Sequence, residues 1–250
     1  MKKTIASLVV SLMLLGTFSL CNAENIVRLS TINWEPYTGE KLPSHGFFSK
    51  LVVESFARAG YKVEFFYLPW ARALLETKKG NFDGVMTAYW KKERTEYLHY
   101  PDTVYKVKEN FVALKSNSIN YAGILASLKG YSVGVLNRSI QAEELEKAGI
   151  KTQPISDQAQ NVNKLLLGRI DTMLIPTPIF FYHLKEIAPK FDNSQIKILH
   201  PPYKIYDMFV AFSKKRQNYK ELTEDFNKGL NYIKADGSYE KIVRESNIRY

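Results

Sequence analysis

Apolar and polar positions recur along this chain with two periods, and the order of those periods predicts its architecture. From Asn25 to Ile32, Val27, Leu29 and Thr31 fall on one side and Ile26, Arg28 and Ser30 on the other, which predicts a strand. It ends at Asn33-Trp34-Glu35-Pro36-Tyr37, where Pro36 stops pairing. Over Gly46–Gly60 the period lengthens: Phe48, Leu51, Val52, Phe56 and Ala59 form one helical stripe, closed by Gly60. Tyr61–Leu68 predicts a second strand. Ala71–Lys79 predicts a second helix, with Ala73, Leu74 and Thr77 at helical spacing and Gly80-Asn81 as its stop. The short apolar run Phe82–Tyr89 reads as a buried parallel strand. Strand and helix in this alternation make a parallel α/β sheet.

A strand at Glu109–Leu114 runs into the polar break Ser116–Asn120, after which the alternation starts again. Strands are expected at Tyr131–Leu136, Lys151–Ile155, Ile170–Ile175 and Ile196–Leu199. Helices are expected at Ile140–Ala148, with Ser139 as N-cap, at Ala159–Leu167, and at Ile179–Ile187, with Thr177 as N-cap and Pro178 in the first turn. Pro201-Pro202 marks a second crossing, Met208–Ser213 returns as a strand, and two helices close the chain. The expected fold is α/β with two lobes: 24–114 plus 205–250, and 115–204. Two mostly parallel sheets flanked by helices are joined by a two-strand hinge, with a cleft that closes by hinge motion.

Composition narrows the function. The 250 residues are 45% hydrophobic and 24% charged, enough for a sizeable core. Met1–Ala23 reads as a signal peptide: Lys2 and Lys3, an apolar stretch Ile5–Leu15 too short to anchor in a bilayer, then Cys21-Asn22-Ala23. Leu20 before Cys21 is not the small residue a lipoprotein site needs. The expected location is therefore the periplasm, as a soluble secreted protein. The formal net charge is +10, and removing Lys2 and Lys3 leaves +8. A basic surface suits nucleic acid, a membrane surface or an anionic ligand, but no run of five basic residues and no zinc-finger or RNA-binding signature is present, so no nucleic-acid partner is expected. Cys21 is the only cysteine, so the mature chain has no disulfide and no cysteine metal site. His45, His99, His183 and His200 lack metal-ligand spacing and read as structural or exposed; no metal and no cofactor are expected. No G-x-S-x-G, P-loop or G-x-G-x-x-G occurs, which makes an enzyme the minority reading.

Candidate chemistry gathers where strands end. Lys91-Lys92-Glu93-Arg94 follows the buried strand, at the sheet edge where α/β folds bind ligands; Arg94 meets an anion there, or the run is a solvated loop. Trp34 either stacks on a ligand or plugs the core. Arg138 lies beside the helix start at Ser139, which is either an anion site or a capped surface helix.

The ordered series Trp70, Gly80, Asp83, Glu93-Arg94 and Pro101–Tyr105, with the ending N-x-G-L…D-G-S-Y-x-x-I from Asn227 to Ile242, resembles the extracellular solute-binding proteins of family 3, which serve polar amino-acid ABC importers. The resemblance spans about Ile26 to Val243. It implies that Arg94 clamps a ligand carboxylate and that Asn137, Arg138 and Ser139, with Ile140, complete that anion site. Thr87, Ala88 and Tyr89 match the family's ligand-touching strand end, while Trp70 and Trp34 match aromatic walls. Arg72 is an additional cation, and Glu35 and Thr177 complete the ligand-binding set. The aspartates that hold an ammonium in amino-acid binders are replaced by Thr31 and Pro176, with Glu35 or Asp207 as possible substitutes. The count of Arg72, Arg94 and Arg138 against those losses predicts a small carboxylate ligand of zero or negative charge. The implied partners are a small-molecule ligand and an ABC permease or sensor kinase, with the protein itself a monomer. A lyase or dehydratase on the same fold, using Glu35 as acid or base, is the alternative.

Overall fold

The computed structural model describes residues 25–246 and 248. The expected leader, Cys21 included, lies outside them. Among the described residues, ten strands and seven α-helices follow, in the expected alternation except for the short strand Leu98–His99, which the sequence reading lacked. The strands are β1 (Asn25–Thr31), β2 (Tyr61–Tyr67), β3 (Gly84–Tyr89), β4 (Leu98–His99), β5 (Tyr105–Leu114), β6 (Ser132–Leu136), β7 (Lys151–Ile155), β8 (Thr172–Ile175), β9 (Ile196–Ile198) and β10 (Lys204–Ser213). The helices are α1 (Phe47–Ala57), α2 (Trp70–Lys79), α3 (Ile140–Lys147), α4 (Gln158–Leu166), α5 (Thr177–Ile187), α6 (Tyr219–Ala235) and α7 (Ser238–Glu245).

The fold has two lobes. In the first, β1 lies between β2 and β3 in parallel pairing, and β10 runs antiparallel to β3. In the second, β6 pairs in parallel with β7 and β8. Two strands cross between them. Lys204–Met208 of β10 pairs with Glu109–Tyr105 of β5, and beyond Glu109 β5 changes partner, pairing with β8 through Asn110–Val112 and with β9 through Val112–Leu114. Glu109 therefore stands where the chain passes from one lobe to the other. The return crossing runs along Lys204–Met208, just after the Pro201-Pro202 signal.

Several residues of the family-like series hold this frame. Asp83 accepts from the backbone N–H of Arg28 at 2.8 Å and pairs with Arg216 at 2.7 Å, which fixes the entry of β3 against β1. Gly229 of α6 faces the Ser55 carbonyl of α1 so closely that a Cβ would sit 1.8 Å from that oxygen. Any side chain at 229 would push the two helices apart. Asn227, two residues earlier, accepts from the Asp102 N–H at 2.9 Å. Gly80 closes α2 at φ +87, the left-handed cap that glycine adopts without steric cost.

Candidate functional site

The lobes enclose a small cavity over the crossing strands. Trp34, Trp70, Thr87, Tyr89 and Arg94 line it from the first lobe, Ser139, Gln141 and Gln158 from the second, and Glu109 from the hinge. Its volume is about 40 Å³, room for roughly three waters. An outer pocket of about 520 Å³ adjoins it, with Ile32, Trp34, Leu136 and Gln158 in the lining of both.

Arg94 is the cation of the inner cavity. It sits in the short 3-10 turn Lys92–Glu96 and is only 5% exposed, so the Lys91–Arg94 run is not a uniformly solvated loop. Its guanidinium lies 5.4 Å from the Trp70 ring centroid and donates at 3.4 Å to the carbonyls of Tyr89 and Arg138. Among the described residues no carboxylate pairs with it. A buried charge is costly without a paired, hydrogen-bonded partner, so this group is arranged for an anion that arrives from outside.

Glu109 is the opposite charge. The alternation of β5 turns Tyr105, Val107, Glu109 and Phe111 inward, and Glu109 is 1% exposed. One carboxylate oxygen accepts from the Tyr89 hydroxyl at 2.9 Å and from Gln141 Nε2 at 2.6 Å. The other oxygen has no partner. Burial pushes the carboxyl up to about 7, against the opposing pull of those two hydrogen bonds. The Tyr89 ring stacks on Tyr206 at 4.6 Å and 4°, which fixes the hydroxyl on Glu109.

Backbone strain lies against the same cavity. Thr87, a β-branched residue, has φ +58, next to an irregularity where β10 passes Phe209 to Ala211. Arg138 has φ +59, and it is its carbonyl that faces the first lobe, accepting from Trp70 Nε1 at 3.3 Å as well as from Arg94. Ser139 caps α3 as expected, its Oγ accepting from the Ala142 N–H at 3.1 Å. Lys91 reaches across to Glu143 in the first turn of α3, a further bridge between the lobes.

The remaining expected site residues are placed elsewhere. Arg72 is exposed on α2, near Glu76. Asn137 and the Arg138 side chain are exposed outside the inner cavity. Thr177 is the first residue of α5 rather than its cap; Pro176 takes the cap position without a side-chain bond, because proline followed by threonine and Pro178 already sets the helical entry. Asp207 pairs with Lys106 at 2.8 Å on the surface and offers no free carboxylate to the cavity. Glu35 lines the outer pocket, its carboxyl raised by burial and by the charge of Asp157. His183, 8% exposed, also lines that pocket. The three arginines counted from the sequence therefore reduce to one in the inner cavity, and Glu109, Gln141 and Gln158 are new to it.

Among the described residues no group of three or more His, Cys, Asp or Glu could hold a metal ion, and no helix is long and apolar enough to cross a membrane.

Known proteins resemble this chain in sequence and fold. The chain is similar to the L-cystine-binding protein TcyA of Bacillus subtilis (strain 168), at 24% identity over 85% of this chain and 77% of that protein. It is also similar to the arginine-binding extracellular protein ArtP of the same organism, at 25% identity over 80% of this chain and 76% of that one. A histidine kinase sensor domain with similarity to periplasmic binding proteins superposes with a TM-score of 0.79, at 19% identity, covering 90% of this chain and 96% of that one, which establishes the shared fold. Residues 30–246 match the bacterial extracellular solute-binding proteins, family 3, and the chain belongs to that family.

Proposed function

We propose that this protein is an exported receptor that captures one amino-acid-like molecule between its lobes, with the ligand carboxylate on Arg94 and its ammonium on the free oxygen of Glu109. The observation that carries this is the buried, acid-free guanidinium of Arg94 in an enclosed interlobe cavity. A guanidinium fork matches a carboxylate in bidentate fashion, and the desolvated setting strengthens the pair. Glu109 supplies the countercharge that Thr31 and Pro176 do not. Two relatives named for amino acids, cystine and arginine, support the same head group. In this reading the lobes 24–114 plus 205–250 and 115–204 part about the crossing strands to admit ligand. The leader Met1–Ala23 is removed on export, the mature monomer works in the periplasm, and an ABC permease receives the ligand. A sensor kinase is the other partner this fold serves.

Glu109 also favours a second reading. A buried carboxyl raised to about 7 can hand over or accept a proton near neutral pH, which is what a lyase would need.

Thermal unfolding with a panel of L-amino acids separates the possibilities. Stabilisation by one or more of them is expected, and it should disappear for analogues lacking either the carboxylate or the amine. Equal stabilisation by the decarboxylated amines would contradict the role of Arg94. Mass spectrometry of the ligand after prolonged incubation should return it unchanged; a dehydrated or deaminated product would establish the lyase.

A further inference from the structure

The bonds that aim Glu109 come from two elements. Gln141 Nε2 reaches its Oε1 from α3, and the Tyr89 hydroxyl reaches the same oxygen from the end of β3. The other oxygen has no partner, so its direction is set by these two donors. Tyr89 is itself held by packing. Its ring lies 4.6 Å from that of Tyr206 at an angle of 4°, and Trp34 meets it edge-on at 6.2 Å. The aim of Glu109 therefore depends on where the Tyr206 ring stands.

The Tyr206 ring is fixed in turn by Glu144, and neither residue lines the inner cavity. Glu144 Oε2 accepts from the hydroxyls of Tyr206 at 2.7 Å and Tyr203 at 2.6 Å, and its Oε1 accepts from Lys204 Nζ at 2.7 Å. One carboxylate thus gathers the whole turn of chain that enters β10. Burial opposes the charge of Glu144, but the bonds from Lys204, Tyr203 and Tyr206 outweigh it and hold the carboxyl below its ordinary range. Glu144 is therefore an anion at neutral pH, and hydrogen bonds to an anion are the strong ones. Burial and the Glu144 charge push the Tyr206 hydroxyl up, so it stays a donor. Gln141 and Glu144 are three residues apart on α3, which places them on one face of that helix. The same turn of α3 reaches Glu109 directly through Gln141, and at one remove through Glu144, Tyr206 and Tyr89.

We propose that Glu144 is a positioning residue for the head-group site, holding Tyr206 against Tyr89 so that the Tyr89 hydroxyl stays on Glu109. Its effect on ligand rests on the head-group reading above, whereas its hold on Glu109 belongs to the protein alone. A hydrogen bond to an ionised carboxylate favours that form, so losing the Tyr89 bond raises the Glu109 carboxyl further. Charge alone has the opposite sign, because removing a neighbouring anion eases the ionisation of Glu109. The charged and ionisable groups around Glu109 are Tyr89 of β3, Tyr206 of β10, Lys204 opposite it in register on β10, Arg94 across the cavity, and Glu144 of α3 behind Tyr206.

Carbon NMR of the ligand-free protein with isotope-labelled glutamate carboxyls reads the Glu109 titration, its signal identified by loss in Glu109→Gln. Glu144→Leu and Glu144→Gln remove the same charge, but only the glutamine keeps an oxygen for the two tyrosine hydroxyls. The Glu109 midpoint should rise by about half a pH unit or more in Glu144→Leu and stay near the wild-type value in Glu144→Gln. Tyr206→Leu, which leaves Glu144 in place, should raise it as well; circular dichroism checks that each variant folds. Calorimetry near neutral pH uses the L-amino acid of the panel above that stabilises most. Glu144→Leu should weaken its binding by roughly threefold to tenfold and add nothing in the Glu109→Gln background. Equal midpoints in Glu144→Leu and Glu144→Gln, or an unraised midpoint in Tyr206→Leu, would overturn the positioning role. A raised midpoint with unchanged affinity would uphold that role and contradict instead the placement of the ligand ammonium on Glu109.

Discussion

Replacing Arg94 with alanine is expected to abolish measurable ligand capture while the protein still folds. In the wild type the ligand carboxylate exchanges water for the guanidinium in an enclosed space. In the variant that carboxylate would be buried with no charged partner. Truncating one side of a buried charge pair costs about 2–5 kcal/mol, or roughly 30- to 4,000-fold in affinity. The ligand-free fold should be little affected. Arg94 contributes to it two hydrogen bonds of 3.4 Å to backbone carbonyls, its position over Trp70 and its contacts with the hydroxyls of Tyr97 and Tyr100. Against these stands the cost of a buried guanidinium without an acid, which the alanine removes. Calorimetry with the best-stabilising amino acid, alongside thermal unfolding of the free protein, reads both quantities. Arg94→Lys should fall between, keeping the charge but losing the planar fork. An alanine variant with wild-type affinity would show that the anion binds elsewhere.

The second large effect is expected from Glu109→Gln. The amide matches the carboxylate in shape, and its oxygen can still accept from Tyr89 and Gln141. What changes is the free oxygen: an NH₂ donor would face the ligand's ammonium in place of an acceptor. Loss of a hydrogen bond to a charged group costs about 1.5–3 kcal/mol, so affinity should fall by roughly one to two orders of magnitude. The same residue should govern pH dependence. Its carboxyl ionises near 4.5 when exposed in the unfolded chain and near 7 in the fold. Between those values the folded protein keeps a proton that the unfolded chain has released. The stabilising contribution is therefore complete below about pH 4.5 and is lost as pH rises through about 7. An ammonium ligand prefers the ionised carboxylate, so affinity should rise across the interval in which ligand-free stability falls. Glu109→Gln should flatten both profiles. Melting temperature and dissociation constant measured from pH 4.5 to 8 test this; identical profiles in wild type and variant would remove Glu109 from the site.

The fold was legible because most elements carry their own punctuation. The stripe of α1, the glycine after α2 and the uniformly apolar β3 each specify an element from its local residues. The breaks at Ser116 and Pro201-Pro202 showed the lobe arrangement, and two residues of the family-like series, Asp83 and Gly229, hold strands and helices in place without touching the cavity. The site was legible only in part. Arg94, Trp70, Thr87, Tyr89, Trp34 and Ser139 converge because each stands at a strand end or helix start facing the cleft. Arg72 and Arg138 were counted by their nearness in sequence, but one turn of α2 carries Arg72 to the solvent side, and a left-handed backbone at Arg138 directs its carbonyl inward. Glu109 carried a signal that could have been read: an acid at an inward position of a strand otherwise inward-facing with Tyr105, Val107 and Phe111. Gln141 and Gln158 carried none, since a glutamine in the first turn of a helix is ordinary, and only the closure of the lobes places them together.

The central claim is that Arg94 and Glu109 hold the two ends of an amino-acid head group between the lobes. A crystal structure of the protein with the amino acid that stabilises it most tests this directly. It should show the ligand carboxylate in paired contact with the Arg94 guanidinium and the α-ammonium on the free oxygen of Glu109, with the lobes closed about Glu109 and Lys204–Met208. A ligand seated away from Arg94, or held there by some other group with Glu109 turned from it, would contradict the account.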